Sequence, residues 1–157
     1  MNLYAIKING LNNPVGFDYE QLLCSWKVKN SCGRSQKWTR IAVALDKTMT
    51  SIIYEKKGVL NSVGEVLEIS LKPYTRYYYQ ITVHSDSDEE SSSDICYFET
   101  AKLQDPWSAN WLGVQDGDVH PEFRKTFSIN KKVKNAKIYI CGLGIFETYL
   151  GDKKIGN

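Results

Sequence analysis

With 157 residues, of which 42% are hydrophobic and 24% charged, the chain has the make-up of one ordinary domain, or of a small domain plus part of another. Its 20 basic and 18 acidic side chains leave a net charge of +2, too even for the field that nucleic-acid or anionic-membrane binding needs, so neither partner is expected. No apolar run approaches the roughly 20 residues of a membrane span, and residues 1–9 are too polar for a signal-peptide core; a cytoplasmic location is expected, with secretion of a longer parent left open.

The 10 tyrosines tilt the prior towards sheet, because aromatic side chains suit a pleated, half-buried surface. Alternation of period two, bounded by turn clusters, then recurs along the chain. A first strand is predicted over 3–8, and the loop 9–18, with Gly10, Asn12, Asn13, Pro14 and Gly16, stops it. The second covers 22–29, where Leu22, Cys24, Trp26 and Val28 alternate with Ser25, Lys27 and Lys29. The third covers 36–45, with Thr39, Ile41, Val43 and Leu45 on the core face. Shorter strands follow at 51–55 and 66–71. The best-patterned stretch is 76–84: Tyr77, Tyr79, Ile81 and Val83 should face inward, and Tyr78, Gln80 and Thr82 outward or to the rim. Residues 85–94 read as a solvated hairpin loop rather than a calcium loop, which would need a shaping glycine and a terminal glutamate. A last strand, 95–100, closes the first unit near residue 102.

Around Pro106 the pattern breaks, and Trp107 and Trp111 stand four residues apart in a polar context. Residues 103–121 read as a linker that docks, its tryptophans either anchoring to a neighbouring domain or stacking on sugar rings. Alternation resumes at Phe123, Thr126, Phe127 and Ile129, then at Ala136, Ile138 and Ile140, then over 145–150: three strands, too few to bury a core of their own. The expectation is a second β domain of which 122–157 are the opening strands. Their exposed edges should pack on the sandwich or exchange between chains, giving self-association.

Cofactor chemistry has little support. Cys24, Cys32, Cys96 and Cys141 form neither a paired metal pattern nor a dense disulfide framework, and buried reduced thiols are expected. A Cys-His nucleophile would need His84 or His120, which lack an orienting constellation. Gly142 and Gly144 lack the third glycine of a dinucleotide loop. Asp116, Asp118 and His120 could hold a metal, but a charged linker is the plainer reading. No catalytic residue, cofactor or metal site is expected.

Residues 71–83, with Leu71, Pro73, Thr75, Tyr77, Ile81 and Val83, resemble the entry to the sixth strand of a fibronectin type III domain. There Pro73 fixes the turn and the Tyr77 hydroxyl can reach back to the backbone as a tyrosine corner. The whole chain also resembles the N-terminal part of bacterial α-L-rhamnosidases. NNPVGFD at 12–18, CSWKV at 24–28, RIAVA at 40–44, LKPYTRYYY at 71–79, YFET at 97–100, WSANWLG at 107–113, FRKTF at 123–127 and AKIYICGLGIFETYLGDKKIGN at 136–157 carry the resemblance.

It implies an all-β chain: a fibronectin type III-like, immunoglobulin-like β-sandwich over 1–102, then a partial second β domain of jelly-roll, carbohydrate-binding type. It also implies that the two carboxylic acids of the family's inverting hydrolysis lie in a downstream α/α barrel, so no acidic residue here inherits either role. One departure is the hairpin Leu150-Gly151-Asp152, where the family often has Asn before Gly. The function implied is a non-catalytic scaffold partnered by downstream domains of its own parent chain. Two alternatives stand beside it. One is a carbohydrate-binding module stacking Trp107, Trp111, Tyr74 or Tyr78 on rhamnose-containing glycans; the other is an unrelated fibronectin type III domain for protein contacts.

Overall fold

The computed structural model describes residues 1–115, 120–134 and 136–156, and every regular element among them is a strand. The chain divides into two units, Met1–Asn110 and Trp111–Asn157.

The first unit is a β-sandwich. Its smaller sheet pairs β1 (Asn2–Ile8), β3 (Leu23–Lys29) and β6 (Glu65–Val66), with β3 in the middle. Its larger sheet runs in the order β2 (Val15–Phe17), β9 (Cys96–Thr100), β7 (Arg76–Ser85), β4 (Gln36–Ala44), β5 (Ile52–Gly58), and β8 (Glu90–Ser92) adds to β7 beyond the end of β9. All pairings are antiparallel except β2 with β9. Period-two alternation turns Ile8, Cys24 and Trp26 of the small sheet towards Ile41, Val43, Tyr77, Tyr79, Ile81, Val83 and Phe98 of the large one. Together with Leu22, Leu60 and Leu67 these form a single buried core.

The entry to β7 is braced as its sequence predicts. The Lys72 N–H donates to the Tyr77 hydroxyl at 2.7 Å, a tyrosine corner, and the Tyr77 ring stacks on Phe98 with centroids 5.1 Å apart. Thr100 locks the same turn: its hydroxyl accepts from the Thr75 N–H at 3.0 Å and donates to the Lys72 carbonyl at 2.7 Å.

Several expectations change. Residues 9–18 are not all loop. Asn9 and Gly10, both at positive φ, make the tight turn that bridges Ile8 to Leu11, but Val15–Phe17 then joins β9 as a parallel strand. Of 66–71, only Val66 lies in a ladder. Leu67, Ile69 and Leu71 alternate into the core as expected, yet the Ile69 N–H turns back onto the Leu67 carbonyl at 3.0 Å instead of pairing across a sheet. Residues 85–94 are largely exposed, as a solvated loop should be, but they also contain β8, and Asp86 and Glu89 hydrogen-bond to the 31–35 loop. Leu45, expected inside, is 44% exposed because β4 ends at Ala44, whereas Ala42 and Ala44 are buried opposite larger residues of β5 and β7.

In the second unit, β10 (Thr148–Leu150) and β11 (Lys153–Ile155) form an antiparallel hairpin. Gly151, at φ 61°, takes the first of its two turn positions, so Gly-Asp serves where Asn-Gly was the commoner option. Residues 123–129 and 136–140 alternate but form no strand: a strand is defined by its ladder, and no described residue pairs with either segment.

Candidate functional site

The outer face of the large sheet is assembled by register. β7 and β9 pair Tyr78 with Tyr97 and Arg76 with Glu99, and β4 sets Ala44 beside Tyr78 and Ala42 beside Gln80. Tyr78 is half-buried and its ring lies 6.5 Å from that of Tyr97. The Arg76 guanidinium sits over the Tyr97 ring at 4.5 Å and donates to the nearly buried Glu99 carboxylate at 3.0 Å. Gln80 donates to the Ser93 carbonyl at 3.0 Å. Of the predicted stacking residues, Tyr78 thus sits in a polar and aromatic constellation made by Arg76, Tyr97, Glu99 and Gln80.

The other three predicted stacking residues stand apart from that constellation. Tyr74, 40% exposed, sits at positive φ in the turn before β7, and its N–H donates to the Ala101 carbonyl at 2.8 Å. Trp107, 48% exposed, follows a segment held by the Ala101 N–H on the Phe17 carbonyl and the Leu103 N–H on the Asp18 carboxylate, both at 2.9 Å, with the Lys102 ammonium 5.9 Å from its ring. Trp111, 68% exposed, belongs to the second unit.

A second aromatic arrangement was not legible in sequence. Trp38 stacks flat on His84, with centroids 5.3 Å apart and 1° between planes, and Lys57 covers its other face at 3.9 Å. With both faces taken, Trp38 offers no surface to a sugar ring. His84 Nε2 lies 3.3 Å from Asp88 and Nδ1 3.6 Å from Glu90. The cue was parity: Trp38 and His84 sit at outward positions of β4 and β7, and only the register brings them opposite.

Carboxylates in this unit brace loops. Glu89 accepts from the Ser31 hydroxyl at 2.7 Å, the Cys32 N–H at 2.8 Å and the Ser87 hydroxyl at 3.0 Å, and these hydrogen bonds pull its carboxyl down to about 2. Asp86 accepts from the Ser35 hydroxyl and the Arg34 N–H, both at 2.9 Å, which also lowers it. Burial pushes Glu65 up, but the Lys56 ammonium at 2.6 Å and the Asn61 N–H at 2.7 Å together outweigh it and hold the carboxyl below its usual range. Asp46, Glu55 and Asp88, and Glu147 in the second unit, are likewise pulled down by their hydrogen-bond partners. Among the described residues, each carboxyl whose acidity departs clearly from the ordinary is therefore favoured as the anion, the reverse of what a general acid requires.

The thiols only partly follow expectation. Cys24 is buried, and burial pushes its thiol up to about 12. Cys96 is half-buried, whereas Cys32 and Cys141 are exposed, and all four are free. Two residues past the corner tyrosine, where antibody-type domains carry the second cysteine of their inter-sheet bridge, this chain has Tyr79, so Cys24 has no bridging partner on β7. Among the described residues no group of His, Cys, Asp and Glu could hold a metal ion; Asp116 and Asp118 lie outside them.

Comparison with known proteins agrees with this architecture. The family model described as the Rha78A-like, N-terminal immunoglobulin domain matches residues 3–104. A protein of Formosa agariphila named alpha-L-rhamnosidase is 30% identical, the match covering 97% of this chain and 20% of that protein. One from Alteromonas sp. (strain LOR), named alike, is 22% identical over 93% of this chain and 18% of its own length. Among solved structures, Streptomyces avermitilis alpha-L-rhamnosidase complexed with L-rhamnose superposes with a TM-score of 0.61 at 21% identity, over 71% of this chain and 12% of that one. The alpha-L-rhamnosidase of Dictyoglumus thermophilum gives 0.56, also at 21% identity, over 67% and 13%. The chain spans about a fifth of the length of the curated relatives it matches. The family match takes in both sheets from Leu3 through the turn after β9, well over half of the sequence, and the chain belongs to the Rha78A-like family, with residues 3–104 as its N-terminal immunoglobulin domain.

Proposed function

We propose that this chain is the non-catalytic N-terminal portion of a larger α-L-rhamnosidase, in which the sandwich is an accessory, interdomain scaffold and hydrolysis belongs to the rest of the parent polypeptide. The observation that carries this reading is coverage: similarity runs through 97% of the chain yet occupies 20% of the Formosa relative. Local chemistry supports it, because hydrolysis by a carboxyl pair needs one member kept protonated, and among the described residues the displaced carboxyls are displaced towards the anion. The purified chain is expected to leave an aryl α-L-rhamnoside intact while the parent polypeptide cleaves it. Turnover by the chain above a heat-inactivated control contradicts the scaffold; an inactive parent contradicts the rhamnosidase.

Residues 122–157 fit the same reading as the opening of a second, jelly-roll β domain completed by further strands of the parent. Phe127, Ile138 and Leu143 stay 63%, 62% and 88% exposed, and residues 123–129 and 136–140 alternate without a ladder. A longer polypeptide protects the amides of 136–140 from hydrogen exchange; equal exchange in both lengths argues against completion.

The Tyr78 constellation favours a second reading, a carbohydrate-binding face on which Tyr78 stacks and Arg76 and Gln80 orient a rhamnosyl ring. Titrating rhamnose or a rhamnosylated oligosaccharide against intrinsic fluorescence distinguishes the two, since a flat response leaves the scaffold alone.

A further inference from the structure

The two outer faces of the sandwich treat charge differently. On the large sheet three cations have carboxylate partners, Arg40 with Glu55 at 2.6 Å, Arg76 with Glu99 at 3.0 Å and Lys37 with Asp88 at 3.2 Å, and Lys57 lies over the Trp38 ring. The cations of the small sheet have no such partners among the described residues. The β1–β3 register sets Tyr4 opposite Lys27, Asn2 opposite Lys29 and Lys7 opposite Ser25, and alternation turns all of these away from Cys24 and Trp26 in the core. Three ammonium groups therefore share one face, and Lys29 lies 5.3 Å from the Tyr4 ring centroid.

A bulge in β1 at Ala5 and Ile6, with Ala5 at φ 49°, interrupts the ladder beside them, and a groove opens there that reaches from the outer face past the inward-facing Trp26 and Val83 to Arg34. Lys7, Lys27, Lys29 and Arg34 line it, none in an ion pair among the described residues, while the carboxylates of Asp86 and Glu89 stand at its far rim, hydrogen-bonded to the 31–35 loop. The Met1 amine, also in the groove, already has Glu89 at 3.4 Å. Like charges clustered on a sheet repel, so this arrangement gains from an outside counter-charge.

We propose that this groove binds an anionic glycan, a carboxylated or sulfated oligosaccharide laid along β3; the inference rests on the carbohydrate-processing reading above. Lys27 and Lys29, two residues apart on one strand face, present charges about 7 Å apart, a repeat that suits successive charged sugars. Lysine is depleted in protein–protein interfaces, which disfavours a folded acidic partner. The Ser25 and Ser62 hydroxyls in the groove suit the hydroxyls of a sugar.

The test uses the whole 157-residue chain. Its probes are fluorescent heparin and oligogalacturonate tetrasaccharides, with neutral dextran and an oligonucleotide of equal charge as comparators. The charged glycans bind and dextran does not, and affinity falls about twentyfold between 50 and 200 mM salt if three contacts are neutralised with the slope of a single-stranded polyanion. K7Q/K27Q/K29Q loses about tenfold or more. K47Q/K131Q/K132Q, which removes equal charge elsewhere, loses less than about threefold. Thermal melts confirm that both variants fold. The proposal is overturned if neither charged glycan binds, if both variants lose affinity equally, or if the oligonucleotide binds more tightly than either glycan. None of these outcomes touches the rhamnosidase reading, which depends on turnover by the parent polypeptide.

Discussion

Tyr77 and Tyr79 point into the same core from the same strand, each almost fully buried, and losing the hydroxyl from each has opposite consequences. The Tyr77 hydroxyl accepts the Lys72 N–H at 2.7 Å; in Tyr77→Phe that backbone donor is left without its partner at a part-buried turn. The ring and its stack on Phe98 survive, so no cavity term enters, and the cost is that of an unsatisfied backbone donor, about 1–3 kcal/mol. The Tyr79 hydroxyl is buried without a hydrogen-bond partner among the described residues, and burial pushes it far above the ordinary tyrosine range. Tyr79→Phe removes a poorly satisfied polar atom and should change stability by less than about 0.5 kcal/mol or raise it. Urea unfolding followed by tryptophan fluorescence reads both. With a slope of about 1–3 kcal/mol/M, Tyr77→Phe lowers the midpoint by about 1 M at an unchanged slope. A Tyr77→Phe midpoint equal to wild type, or a Tyr79→Phe loss as large as that of Tyr77→Phe, would refute the reasoning.

Thr100→Val keeps the shape of a fully buried side chain but leaves the Thr75 N–H and the Lys72 carbonyl without their partner, and should cost about 1–3 kcal/mol in the same urea assay. Glu89 is held near 2 in the fold against an ordinary value of 4.5, so the stability it contributes is complete above about pH 4.5 and fades as pH falls towards 2. Melting temperatures from pH 6 to pH 2.5 should therefore fall less steeply for Glu89→Gln than for wild type, and parallel curves would remove Glu89 from the account. A thiol-reactive chromophore should label Cys32 and Cys141 quickly in the native protein and Cys24 only on unfolding; fast labelling of Cys24 would contradict its burial.

What could be read from the sequence was whatever is decided within a few residues. Pro73, Tyr77 and the alternation that follows specify the corner and the inward face of β7 locally, and Trp26 takes its place in the core by the same parity. Leu67, Ile69 and Leu71 show where that logic stops: alternation reports burial, and burial does not require a ladder. Val15–Phe17 and Glu90–Ser92 err in the other direction. These three-residue strands carry no fully buried side chain and join the sheet chiefly by backbone hydrogen bonds, with β8 adding the Ser92–Thr82 hydroxyl contact, so nothing in their composition marks them. The Tyr78 surroundings failed for a third reason. Arg76 was adjacent in sequence, but Tyr97 and Glu99 arrive through a register set by pairing some 20 residues apart.

The parallel pairing of β2 with β9 bears on how load passes through the domain. As the polypeptide leaves β9, the Ala101 N–H holds the Phe17 carbonyl and the Leu103 N–H holds Asp18, so the exit is tied to the strand beside it and not only to the one it follows. Tension on the chain beyond Leu103 is then resisted in shear, by several hydrogen bonds at once, instead of peeling the last strand away one bond at a time. The exit is in effect a stiff mount, whose rigidity comes from three residues near the other end of the domain.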